Sequence, residues 1–222
     1  MALLLLVRHA VTDVTGRRLS GQAPGMHLSE AGSKQAERLA ERLADVPLAA
    51  AYSSPLERCM ETAEIAVRGR GLKVEPLQGL LEVDYGKWTG RPLAQLYRTR
   101  TWKQLQAAPS SVRFPGGESL ADVQRRCVST LEEVASRHAS KAIAVFAHAD
   151  VIRLSLAHFA GVHIDHYQRL IVSPASVSAV LLGDRVPRIL RMNDTGSLKD
   201  LAAPRRPRSD ARRPPQKGGR LP

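Results

Sequence analysis

Two uninterrupted apolar runs each stop at a histidine: residues 3–7 lead into Arg8-His9, and residues 142–147 lead into His148. Such runs read as buried strands. Between and after them strand and helix patterns alternate. A loop reaches about Met26, and a helix is expected over 29–45, with Ser29 as N-cap and Ala36, Leu39 and Leu43 on one face. Residues 49–52 form a short strand, and Ser54-Pro55 opens the next helix, with the serine as cap and the proline in its first position. A glycine-containing loop spans 80–90, a helix 92 to about 106, a turn-rich stretch 109–117, and a long amphipathic helix 118 to about 138. A helix over 151–160 and strands over 177–182 and 188–192 finish the pattern. Alternation of this kind predicts a largely parallel sheet with helices on both faces. Ligands bind such sheets at the carboxyl ends of the strands, where His9, Ser53-Ser54 and His148 fall.

With 222 residues, 43% of them hydrophobic, the chain suffices for one well-buried domain. The net charge of +12 is unevenly placed: residues 199–222 hold eight Lys and Arg against Asp200 and Asp210, so half of the net charge sits there, among five prolines. Residues 1–198 are therefore read as the domain, and 199–222 as a disordered basic Pro/Arg-rich tail. The tail has no aromatic residue to stack on a base, and no specific nucleic-acid partner is expected. Cys59 and Cys127 make neither a metal-ligand spacing nor a disulfide scaffold. Cys127 falls on the apolar stripe of Leu120, Val123, Leu131 and Val134, which makes it a core residue. The N-terminal run is too short for a signal peptide's core, and no stretch has membrane-spanning length. The expectation is a cytoplasmic protein with no membrane span.

A neutral imidazole at a strand end can attack phosphorus while an adjacent guanidinium holds the phosphoryl oxygens, which makes His9 a candidate nucleophile and Arg8 its partner. Arg58 lies one helical turn beyond Ser54, in a helix N-terminal region that favours anions; its plainer alternative is a surface pairing with Glu57 or Glu61. His148 is placed to donate a hydrogen bond to the same group. A carboxylate among Tyr85, Gly86 and Trp88 can have a raised pKa and protonate a leaving alkoxide; by spacing, Glu82 and Asp84 compete evenly for that part.

Arg8-His9-x-x-Thr12, Ser53-Ser54-Pro55-Leu56-x-Arg58, Glu82-x-x-Tyr85-Gly86-x-Trp88-x-Gly90, Pro115-Gly116-Gly117-Glu118-Ser119 and Phe146-Ala147-His148-x-x-Val151-Ile152-Arg153, in that order, resemble the histidine phosphatase superfamily, in its phosphoglycerate mutase-like branch. The resemblance spans residues 3 to about 192. It implies a three-layer α/β/α sandwich with a largely parallel central sheet, no metal and no cofactor. It implies that His9 is phosphorylated, that Arg8, Arg58 and His148 form the phosphate pocket, and that Glu82 rather than Asp84 is the general acid. The chain departs from the pattern at Ala10 and Ala149, where glycine is usual; alanine keeps the backbone N–H, so Ala149 remains a phosphate-binding candidate, but a positive φ there would be penalised. Thr15 stands where an asparagine often binds phosphate, and the loop 20–26 lacks a common aspartate and is one residue longer.

Within the family it resembles, mutases carry longer segments over the pocket and a differently worded acid loop, so the resemblance implies for this compact chain a phosphomonoester hydrolase acting on a small phosphorylated metabolite. A phosphoglycerate mutase-type phosphomutase and a non-catalytic phospholigand-binding protein are the alternatives. Lys87, Arg91, Arg98, Arg100, Lys103 and Arg113, interleaved with Tyr97 and Trp102, follow the acid loop. If they cap the pocket, substrates with a second anionic group or a flat ring are favoured. His163 and His166 flank Asp165 in what reads as a structural turn, and 173–176 returns the chain toward the pocket. A sheet edge or cap helix leaves room for a homodimer.

Overall fold

The computed structural model describes residues 1–198; the tail expectation lies outside them. Six strands form one sheet in the order β3-β2-β4-β1-β5-β6. These are β1 (Ala2–Arg8), β2 (Leu48–Ser53), β3 (Val74–Pro76), β4 (Ala142–Ala147), β5 (Val177–Leu182) and β6 (Arg188–Asp194). The pairs β3-β2, β2-β4 and β4-β1 are parallel, and β1-β5 and β5-β6 antiparallel. The mostly parallel sheet is as expected.

Because β1 is central, both of its faces are covered. Leu4 and Leu6 join the core under α5 (Leu120–Arg137) and α6 (Ala149–Phe159), while Leu5 and Val7 join the core under α1 (Glu30–Leu43) and α2 (Glu57–Ala66). Each of these leucines is at most 2% exposed, and burying one such side chain stabilises the fold by roughly 1.5–3 kcal/mol. The result is the α/β/α sandwich. Cys127 is buried in the α5 core, as its stripe requires.

Ser29 and Ser119 cap α1 and α5 through their hydroxyls, accepting from Gly32 N and Asp122 N. Two helix expectations are corrected. First, α2 starts at Glu57, with Leu56 as its cap, because the Ser54 hydroxyl is taken by His148 and the Ser54 N–H by the Phe146 carbonyl. Second, the 92–106 helix is two pieces, α3 (Leu93–Leu96) and α4 (Arg100–Ala107), divided where the Thr99 hydroxyl accepts from Trp102 N. The three-residue β3 was not anticipated. No helix among the described residues is long and apolar enough to cross a membrane.

Candidate active site

Strand register builds the site. Leu3 to Arg8 pair one-to-one with Ala142 to Ala147, so the residues that follow, His9 and His148, leave the sheet side by side with ring centroids 5.4 Å apart. Pairing of Ser53 with Phe146 brings Ser54 to the same edge. A cavity of about 260 Å³ opens there, lined by Arg8, His9, Thr12, Thr15, Arg58, Glu82 and Ala149 among others. All the candidate residues except His148 line it, and His148 lies fully buried directly behind, 3.2 Å from the Arg58 guanidinium.

His9 Nδ1 is 2.7 Å from the Ala10 carbonyl. A carbonyl only accepts, so Nδ1 carries the proton and Nε2 keeps its lone pair. Burial, then Arg58 and Arg8, push the His9 pKa down to about 3, so the ring is neutral at ordinary pH. His148 is likewise pushed well down, by burial first and Arg58 next. Arg58 Nη2 can only donate, so its N–H donates to His148 Nδ1, and His148 Nε2 donates to Ser54 Oγ at 2.8 Å. The serine hydroxyl can equally donate, which lets the imidazole switch tautomer when Arg58 takes another acceptor.

Arg58 is 2% exposed and also donates to the Gly21 carbonyl, which rules out the surface pairing. Glu57 instead accepts from Gly25 N, and Glu61 from Leu28 N. Arg8 Nη1 donates to the Val172 carbonyl at 2.7 Å. The strand end itself is held by Ser176 and Ala175, so 173–176 secures Arg8. Arg8 Nε and Arg58 Nη1 are buried with no hydrogen-bond partner among the described residues. Two guanidinium donors left over at one pocket are what an anion requires.

Glu82 and Asp84 separate cleanly. Asp84 accepts from Gly86 N at 2.9 Å and shapes the turn, whereas Glu82 lines the cavity. Burial, then the Asp150 charge, raises the Glu82 carboxyl to about 7 against the pull of the arginines. Its loop is clamped from behind. Arg126 donates to the carbonyls of Gly79, Leu81 and Glu82 and grips Glu118, which accepts from Asp84 N. Gln22 adds a bond to the Glu82 carbonyl. Gly117 is required where the strap 115–119 crosses this loop, since a Cβ there would lie 2.2 Å from the Asp84 carbonyl.

Thr15 Oγ1 accepts from Thr12 N and shares a 3.0 Å hydrogen bond with Thr12 Oγ1. That pair needs one hydroxyl proton, which leaves the second for a ligand. Neither Ala10 nor Ala149 is among the residues of positive φ, so their side chains carry no backbone strain. Ala10 N donates to Thr62, and Ala149 opens α6, where first-turn N–H groups and the helix dipole favour an anion. Cys59 Sγ lies 3.4 Å from His148 Nε2, with its pKa raised by burial. His163 caps the turn 164–169 by accepting from Asp165 N.

Sequence reasoning missed Arg126, Gln22, Asp150 and Arg153 as site residues. Arg153 was visible in a quoted motif, and Arg126 borders the apolar stripe of α5 with no motif to mark it.

The profile of the histidine phosphatase superfamily (branch 1) matches residues 4–195. The chain belongs to that superfamily. It is 34% identical to phosphoserine phosphatase 1 of Hydrogenobacter thermophilus over 199 residues, covering 88% of this chain and 93% of that one. Identity to a 2,3-bisphosphoglycerate-dependent phosphoglycerate mutase of Gloeobacter violaceus is 30%, covering 97% and 96%. Bacillus stearothermophilus YhfR superposes with a TM-score of 0.83 at 27% identity, covering 88% of this chain and 98% of that one. This histidine phosphatase is a phosphomonoester hydrolase of the class that acts on small phosphorylated metabolites.

Proposed function

We propose that His9 Nε2 attacks the phosphorus of a small metabolite's phosphomonoester and that Glu82 protonates the departing oxygen. The P–N bond forms as the P–O ester bond breaks, and the leaving alkoxide takes the Glu82 proton. Water then attacks the phosphohistidine, Glu82 takes its proton, the P–N bond breaks, and phosphate leaves. Arg8 Nε, Arg58 Nη1, the spare Thr12–Thr15 proton and Ala149 N–H hold the phosphoryl oxygens as charge spreads over them. If Arg58 Nη2 also turns to the phosphoryl group, His148 Nδ1 is free to carry a proton toward it, with Ser54 donating to Nε2.

The observation that carries this reading is the neutral, Nδ1-anchored His9 beside two buried guanidinium nitrogens with donors to spare. Two free, buried cysteines support the cytoplasmic placement. The test is phosphate release from a panel of monoesters by wild type and His9→Ala in the presence of chelator. The panel contains O-phosphoserine and 3-phosphoglycerate, the latter followed for 2-phosphoglycerate with and without 2,3-bisphosphoglycerate. Release that is lost in His9→Ala is expected. Isomerisation without release would make the protein a mutase, and a folded wild type that turns over nothing would make it a binding protein.

A further inference from the structure

A second cavity of about 230 Å³ adjoins the phosphate pocket and shares Leu19, Tyr85, Trp102, Asp150 and Arg153 with it. Beyond these its wall is Leu105, Phe114, Tyr167, Gln106 and Gln168. We propose that this cavity takes a planar ring carried by the alcohol half of the substrate on a short hydroxylated linker, as in a nucleoside 5′-monophosphate. The inference rests on the reading above for where the phosphoryl group sits.

Position supports it. The leaving oxygen must face Glu82, and the residues on that side are Tyr85 of the same loop and Asp150, whose charge Glu82 feels. A group leaving the phosphorus past Glu82 therefore enters the second cavity. Its wall is aromatic and braced: Tyr85 packs edge-on to Phe114 at 4.9 Å, and Trp102 is backed by Trp88 at 6.1 Å in a stacked arrangement. Tyr85, Phe114 and Tyr167 are buried and shape the wall, while the half-buried Trp102 is the ring on which a flat group can stack. At the junction the wall turns polar. Tyr85 Oη donates to Asp150 Oδ2 at 2.7 Å and Arg153 Nη1 to Asp150 Oδ1 at 3.1 Å. Arg153 Nε is buried with no hydrogen-bond partner among the described residues. One spare donor and the remaining lone pairs of a carboxylate suit the oxygens and hydroxyls of a linker.

Size supports a ring beside the phosphoryl group, and the one cation in the second cavity, Arg153, is already paired with Asp150. The phosphate pocket alone falls below the roughly 300–1,000 Å³ of small-molecule sites, and the two cavities together fall within it. None of Lys87, Arg91, Arg98, Arg100 and Lys103 lines either cavity. The basic residues that follow the acid loop therefore add no charge to either lining.

The experiment compares kcat/KM for adenosine 5′-monophosphate and O-phosphoserine in wild type, Trp102→Ala and Gln106→Trp, the last an exposed position whose new side chain fills the cavity. Wild type is expected to favour the nucleotide. Each variant is expected to lose roughly tenfold or more in the ratio of the two efficiencies, the size of one stacking contact. Equal losses for both esters, or a wild type that favours phosphoserine, would overturn the inference. Calorimetric binding of both esters to His9→Ala gives the same comparison without turnover. A nucleotide that binds tighter there and weakens on adding Trp102→Ala upholds the ring site even if the hydrolytic reading fails; equal binding refutes it.

Discussion

Glu82→Gln should make this protein more stable and far less active, and the gain should depend on pH. The Glu82 carboxyl is raised from 4.5 to about 7, by burial first and Asp150 second. A carboxyl with a raised native pKa binds more protons folded than unfolded between those two values. Stability therefore falls as pH rises from 4.5 to 7, the reverse of the usual salt-bridged acid. At 1.36 kcal/mol per pH unit, the cost of keeping Glu82 is about 1 kcal/mol at pH 5 and ~3 kcal/mol at pH 8. Glutamine removes the titration and keeps an oxygen for the 2.9 Å bond from Val83 N.

The assay is urea unfolding of wild type and Glu82→Gln at pH 5, 6, 7 and 8. With a slope of about 2 kcal/mol per molar urea, the gap between the two midpoints should widen by about 1 M from pH 5 to pH 8. Turnover of an alkyl phosphate should fall about 10²- to 10⁴-fold, the usual contribution of a positioned acid, and less for a p-nitrophenyl ester whose leaving group needs no proton. In wild type, kcat/KM should decline above about pH 7 as the acid is lost. Midpoints that run parallel across the four pH values would refute the reasoning, because Glu82 would then titrate alike in both states.

Two further substitutions test the support behind the acid. Arg126→Ala removes donors from three loop carbonyls and from Glu118, and should cost about 2–3 kcal/mol in chemical unfolding while lowering kcat more than it raises KM. Arg126→Lys should not restore kcat, because a single ammonium cannot reproduce the fork. Gly117→Ala drives a methyl against the Asp84 carbonyl; a cost of about 2 kcal/mol is expected, read as a Tm lower by roughly 4–8 °C in calorimetry.

The strands that carry the chemistry were legible because residues 3–7 and 142–147 are unbroken apolar runs; their register was not, and only register makes His9 and His148 neighbours. Misreading the start of α2 has the same origin. Ser54-Pro55 has the local chemistry of a helix start, but the Ser54 hydroxyl is claimed by a histidine 94 residues away. Three residues reading Val-Glu-Pro give no period from which to see β3, and Thr99 divides the 92–106 stretch by a hydroxyl that sequence treats as ordinary. Glu82 and Asp84 were even in spacing because what separates them is a tertiary fact: one carboxylate is spent on the Gly86 N–H and the other is not. Arg126 carries no local signal, since its meaning lies in carbonyls 44–47 residues earlier.

One electrostatic arrangement suits both proposed roles. Burial pushes the imidazoles down and the Glu82 carboxyl up, so at neutral pH the proposed nucleophile is neutral and the proposed acid about half protonated. Arg8 and Arg58 reinforce the first effect and oppose the second. The acid survives because Asp150 adds its repulsion to the burial, and Asp150 is itself held by Tyr85 and Arg153. The phenol helps because its own pKa is raised well above 10, which keeps it a donor. Asp150, which lines both cavities, is thus also the charge that raises Glu82, so a leaving group bound as proposed would touch the residue that sets its proposed proton donor.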